Sequence, residues 1–353
     1  MKKQNSIWIF SVIAVIGLAG ALQGQQLEPV LGDQDAATIS VEIKKIHNLT
    51  EVARKPADYL KIIDRCEKIL AGTVLEKDQA YLNSLIGWSR NRLAQSHAKT
   101  AASMKEMGLV EQSAEELQKA IEQFDLVIDK HPKIWRAWMG RAKIHAANGE
   151  YELALEKFVE VTKRKHDQFS AWFNCAELSA YLGQHENAIK YYGRMIKEDA
   201  SDVQSRTGRA SCLLALGKNE EAIDEYRTVT KLQANDEFAL CNLGDALRQN
   251  ENWNDALAIY ESAAKLPGAT CGLERLANLL CTCPETSLVD TDRAVKAAKQ
   301  AIDNGEASVE FLNTLAAAYR ANGQTDLADE IENRAKLMNS KTREAKSSTS
   351  TNK

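Results

Sequence analysis

Small, aromatic and turn-forming residues recur along this chain with one long period. Ala120, Ala154, Ala188, Ala222 and Ala256 lie 34 residues apart, and each is followed four residues on by Phe124, Phe158, Tyr192, Tyr226 or Tyr260. Gly149, Gly183 and Gly217 each precede one of these alanines by five residues, a spacing repeated at Gly323 and Ala328. Trp138 and Trp172 are a further pair at the same period. Within one period the pattern predicts two helices. Trp138, Ala142 and His145 fall at helical spacing before Gly149, which tolerates the left-handed backbone that ends a helix. Ala154, Phe158 and Val161 then mark one face of a second helix. The small alanine lets the two backbones approach, and the aromatic one turn later fills the space beside it. Such a hairpin cannot bury its apolar faces alone, and stacking against neighbours closes the core.

The period sets four regular units at 135–168, 169–202, 203–236 and 237–270. A fifth, 271–308, has four extra residues that fit the loop CPETSLVDTD, and a sixth, 309–342, returns to phase. Upstream the pattern frays. Residues 80–134 keep Gly87, Trp88, Ala120 and Phe124, but about 15 extra residues separate the halves. The stretch AQSHAKTAASMKEMG predicts lengthening of one or both helices, and 56–70 predicts another amphipathic helix opening at Pro56. Residues 38–134 are read as one or two irregular hairpins.

These residues resemble the tetratricopeptide repeat (TPR) family, whose units carry a large apolar residue, two small residues and an aromatic at the places held here by Trp138, Ala142, Ala154 and Phe158. Trp172, Ala176, Ala188 and Tyr192 fit equally. Arg206 stands where the third unit should have a large apolar residue, and the unit-terminal proline is found at Pro132 but replaced by His166, Ala200, Ala234 and Gly268. The closing units resemble those of large bacterial exported multi-TPR proteins. The resemblance implies an all-α, right-handed TPR α-solenoid whose first helices line a concave groove for protein or peptide segments.

The rest of the sequence narrows this reading. Five Pro and 18 Gly in 353 residues are too few for a turn-rich β fold. A net charge of −4 argues against nucleic acid as the partner. Lys2, Lys3, the apolar run Ile7–Leu18 and the small residues Ala19-Gly20-Ala21 predict a signal peptide over 1–21. An uncleaved anchor is the alternative, although Ile7–Leu22 gives 16 residues where a span takes about 20. Residues 22–37 read as a linker and 343–353 as a disordered tail. Export to the periplasm or cell envelope follows, with inner-membrane tethering through the N-terminal segment as the alternative.

Catalytic chemistry finds no foothold in the sequence. It contains no G-x-G, P-loop, G-x-S-x-G or H-E-x-x-H arrangement. The six His are dispersed, and His145 falls on the helix-packing column, where a satisfied buried imidazole is expected. Seven cysteines cannot all pair within one chain. Cys175 and Cys212 read as small apolar residues of first helices, with one or two disulfides between neighbouring units left open. No enzyme activity, cofactor, metal or small-molecule substrate is expected.

A partner would meet the second, fifth, ninth and twelfth residues of each first helix, one stripe by helical spacing. The residues assigned to a protein-binding groove are Arg136, Met139 and Lys143, then Ser170, Phe173 and Glu177, then Gln204 and Ser211, and finally Phe238, Asp245 and Arg248. One TPR subclass grips chaperone C-termini with Lys and Asn where this chain has Met139 and Lys143, so that clamp is not expected. The function expected is a non-catalytic scaffold or adaptor. A self-associating assembly protein, hence a homo-oligomer, is the alternative.

Overall fold

The computed structural model describes residues 41–72, 74–305 and 307–350. The predicted leader and linker, 1–37, lie outside them. The described residues contain no strand and divide into two compact units, one ending at Arg194 and the other beginning at Met195.

The first unit opens with α1 (Val41–Val52) and α2 (Pro56–Leu70), followed by the long α3 (Glu76–Glu106) and α4 (Val110–Lys130). Ile43, Ile46, Ile62, Leu82 and Leu85 form its first buried cluster. The stretch with extra residues is continuous helix in α3. After Gly87 it meets no Gly or Pro until Gly108, which turns the chain at φ 77°. Its added turns are tied to α4 by Ser113 Oγ donating to the Ala101 carbonyl at 2.7 Å and by the His97–Glu116 contact at 2.6 Å.

Next come α5 (Trp135–Ala147), α6 (Tyr151–Arg164), α7 (Phe169–Tyr181) and α8 (His185–Glu198), the last carrying the boundary between the units. Phe158 and Ala154 are fully buried against Ala142, Cys175 and Leu178, as the Ala-plus-aromatic spacing requires. His145 is buried and paired through Nδ1 with Glu150, a satisfied packing residue.

The second unit continues with α9 (Val203–Ala215), α10 (Asn219–Leu232), α11 (Glu237–Gln249), α12 (Trp253–Ala264), α13 (Cys271–Thr282), α14 (Thr291–Asn304), α15 (Val309–Ala321) and α16 (Thr325–Ser350). Each helix packs on the next, and α11 with α13 and α13 with α15 add a second layer of contact. Asp202, Asp236, Asp290 and Ser308 cap α9, α11, α14 and α15 by accepting from a backbone N–H three residues on. The four-residue insertion forms a single 3-10 turn, Thr286–Leu288, just before the Asp290 cap. α16 runs to Ser350, past residue 343 where the sequence predicts a disordered tail. That segment is polar, which suggests disorder, but it has no Gly or Pro to stop a helix already under way.

The fourth residue of three units does one job with two chemistries. Trp138 Nε1 donates to the Pro132 carbonyl at 3.0 Å, and Trp172 Nε1 to the His166 carbonyl at 2.8 Å. In the third unit Arg206 Nε donates to the Ala200 carbonyl at 2.9 Å. The guanidinium supplies the same hydrogen bond as the indole and also pairs with Glu225 at 2.9 Å. That explains how arginine occupies an apolar column.

Candidate binding groove

In three of the four regular units the ninth residue meets the aromatic of the second helix. Tyr192 donates its hydroxyl to Glu177. Ser211 Oγ and the Tyr226 hydroxyl are 2.9 Å apart, and Tyr260 donates to Asp245 Oδ1 at 2.6 Å. Burial pushes the Tyr226 hydroxyl up to about 12 and raises Tyr260 as well, so both stay protonated. Burial raises the Glu177 carboxyl, against the opposing pull of the Tyr192 hydrogen bond. These three side chains, assigned to the groove from the sequence, are therefore partly engaged in holding their own hairpins together.

The first unit departs from this rule. Its aromatic is Phe158, which has no hydroxyl, and its ninth residue is Lys143. Lys143 has no hydrogen-bond or ion-pair partner among the described residues, and burial holds its ammonium below the usual range. It lines a cavity of about 180 Å³ together with Arg136, Met139 and Ser170. Four residues of the predicted stripe are thus brought to one place.

The remaining walls come from residues that the stripe did not include. α3 contributes Gln95, Ala98 and Lys99, and Phe124 of α4 is buried at the base. Trp135 and Gly140 come from α5, and Gln168 precedes α7. Arg136 stacks on Trp135 with its guanidinium carbon 4.3 Å from the ring centre. Burial, then the nearby Arg92, holds its pKa below the usual range. Gly140 is required by close approach, because a Cβ there would lie 2.2 Å from Phe124 Cζ. No carboxylate lines the cavity, while Lys99, Arg136 and Lys143 do.

The structure corrects one detail of the predicted stripe. Met139 is only 9% exposed and packs with Ala142 and Phe158, so it is a core residue that reaches the cavity with part of its surface. Phe173 is half-buried and Glu177 turns to Tyr192; neither lines the cavity.

In the second unit Gln204, Ser211 and Arg248 are exposed, and Phe238 is 53% exposed. Asp245 is held at 3.2 Å by Arg275, which also contacts Glu274 at 2.8 Å, and Thr314 donates to Glu274 at 2.8 Å. This network ties α11, α13 and α15 together. Burial works against the Arg275 charge, but Asp245 and Glu274 outweigh it and raise its pKa. A wider recess of about 700 Å³ lies between α15 and α16, lined in part by Asn313, Ala317 and Arg320. Arg320 is already paired there with Asp329 at 2.7 Å and Glu332 at 2.8 Å.

Five cysteines are buried, and Cys271 and Cys281 are half-buried; all seven are free thiols. Burial pushes Cys66 and Cys175 up to about 12, which suits packing residues rather than nucleophiles. Among the described residues no group of three or more His, Cys, Asp or Glu side chains is placed to hold a metal. No helix among them is long and apolar enough to cross a membrane.

Residues 105–168 and 176–237 match the tetratricopeptide repeat family. A TPR protein from Parabacteroides merdae ATCC 43184 is similar in structure at 14% identity, with a TM-score of 0.51 over 69% of this chain and 93% of that one. That likeness shows the fold, which is that of the all-α TPR solenoids. MamA is similar at 18% identity, TM-score 0.40, over 48% of this chain and 96% of that one. YrrB, described as a TPR protein with an unusual peptide-binding site, is 19% identical, TM-score 0.41, over 58% of this chain and 92% of that one. No curated protein sequence matches.

Proposed function

We propose that this chain is a non-catalytic TPR scaffold that binds protein or peptide segments on the first-helix face of its first unit. The observation that carries the reading is the cavity shared by α3, α5 and α7. It gathers Arg136, Met139, Lys143 and Ser170 around an aromatic base, a combination of apolar anchor site and polar rim that suits protein recognition. The second unit serves as the lesser surface, because Asp245 and Arg320 on its stripe are committed to internal bonds.

The chain works in the cell envelope. Lys2, Lys3 and the apolar run Ile7–Leu22 support export, with the same segment as a membrane tether if it is not cleaved. A protein ligand, rather than nucleic acid or a metabolite, is supported by the net charge of −4 and by the lack of any catalytic motif.

Photo-crosslinking in native cells tests the reading, with the probe at Ser170 on the cavity rim and a control probe at the exposed Glu156 of α6. One protein segment captured at Ser170 and not at Glu156, identified by mass spectrometry, is the expected result. Capture of only the chain itself at Ser170 transfers the function to self-assembly. Equal capture at both positions removes the groove as the working surface.

A further inference from the structure

An ammonium or guanidinium moved part-way out of water without a counter-charge destabilises the protein that carries it. The first unit holds such groups side by side. Half-buried Lys143 has no partner among the described residues and half-buried Arg136 has only the face of Trp135, while the unpaired Lys99 stands exposed at the rim beside them. The equivalent residues Glu177, Ser211 and Asp245 each meet a tyrosine hydroxyl. Lys143 has none, because the first repeat carries Phe158 in the tyrosine column. Uncompensated charge of one sign, with no carboxylate in the walls, calls for a ligand of the other sign.

The cavity also sets the size of what enters. Its volume is about 180 Å³, comparable with an engineered apolar cavity of roughly 150 Å³ that holds one benzene. Phe124 and Met139 form an apolar base, and Gln95, Gln168 and Ser170 offer neutral polar groups at the walls. That space fits one large side chain and not a folded element.

We propose that this cavity takes a single apolar side chain of an acidic peptide segment, whose flanking carboxylates pair with Lys99, Arg136 and Lys143. The inference rests on the groove reading above and specifies its ligand. Charge supplies attraction and register, while the apolar anchor supplies the buried contact. The stability lost to Lys143 in the free protein is recovered when a carboxylate arrives.

The test uses the full chain and a fluorescein-labelled decapeptide of Glu and Ala with one central Leu. Its partners are an analogue with Gln for every Glu and another with Ala for the Leu. Anisotropy titration should show the acidic peptide binding at least about tenfold more tightly than the Gln analogue, or about 1.4 kcal/mol. Replacing the Leu should weaken binding by a similar factor. Lys143→Met and Arg136→Met should each weaken the acidic peptide about tenfold, and Glu156→Ala should leave it unchanged.

Thermal melting supplies the readout that a merely structural lysine would not give. Lys143→Met should melt at or above the parent while losing affinity. Equal affinity for the acidic peptide and its Gln analogue overturns the inference, as does full affinity in both cation variants. Equal binding of a single-stranded oligonucleotide of matched charge also overturns it. Charge-blind peptide binding with retained Ser170 crosslinking would defeat this inference and leave the groove reading intact. Loss of the Ser170 crosslink would defeat the groove reading itself.

Discussion

Tyr260 donates its hydroxyl to Asp245 Oδ1 at 2.6 Å, closing the hairpin of the fourth regular unit from the inside. The tyrosine is fully buried, and Asp245 passes the connection on to Arg275 of α13. A residue on the binding stripe is thereby a structural acceptor first. Tyr260→Phe should cost about 0.5–1.5 kcal/mol by urea denaturation, the net worth of one such bond. Asp245→Ala should cost more, because it leaves a buried hydroxyl unpaired and takes one of two carboxylates from Arg275. If the aspartate variant is the milder of the two, the column has been misread.

Glu251 stands where the three preceding units carry Gly149, Gly183 and Gly217, and it holds φ at 60°. A side chain disfavours that region, which glycine enters freely. Glu251→Gly should therefore raise stability by about 1 kcal/mol in a urea melt. A destabilised variant would mean that the glutamate makes a compensating contact.

Arg206 combines the indole's hydrogen bond with an ion pair to Glu225, and Arg209 also contacts that carboxylate. All three side chains are largely withdrawn from solvent. Arg206→Met should cost about 1–3 kcal/mol, because the Ala200 carbonyl and one side of Glu225 lose their donor. Arg206→Trp should recover part of the loss by restoring the carbonyl bond. Equal destabilisation in the two variants would show that the ion pair alone matters.

Glu177 gives the fold a pH dependence of definite sign. Its folded pKa is raised, chiefly by burial and despite the Tyr192 hydrogen bond. The unfolded group titrates near about 4.3. An acid with a raised folded pKa takes up protons on folding, so its unfavourable contribution is absent at low pH. It develops as pH rises from the unfolded value through the folded one. Glu177→Gln keeps an acceptor for Tyr192 and should be at least as stable as the parent at pH 7. That advantage should shrink as the urea midpoints are measured down toward pH 4. An advantage that grows on acidification would reverse the assigned direction.

The repeating hairpin was legible because close helix packing admits few residue types. Ala154 and Phe158, or Ala256 and Tyr260, have to be small and large at fixed spacing wherever two helices cross. The groove was legible only in part. Helical geometry places Lys143, Glu177 and Asp245 on one stripe, but it does not say which of them a tyrosine hydroxyl holds across the hairpin. The decisive difference is Phe158 against Tyr192, Tyr226 and Tyr260, which is visible in the sequence yet acquires meaning only when residues 15 apart are seen to touch. Lys99 and Gln95 had no such signal. They sit on α3, where extra helical turns break the 34-residue phase, so no column leads to them.

Hydrogen–deuterium exchange of the full chain, with and without saturating acidic decapeptide, tests the central claim most directly. The account predicts slowed exchange in α5, the start of α7 and the middle of α3, with α6 and the second unit unchanged. Protection confined to the second unit, or to the outer face of α6, would contradict it.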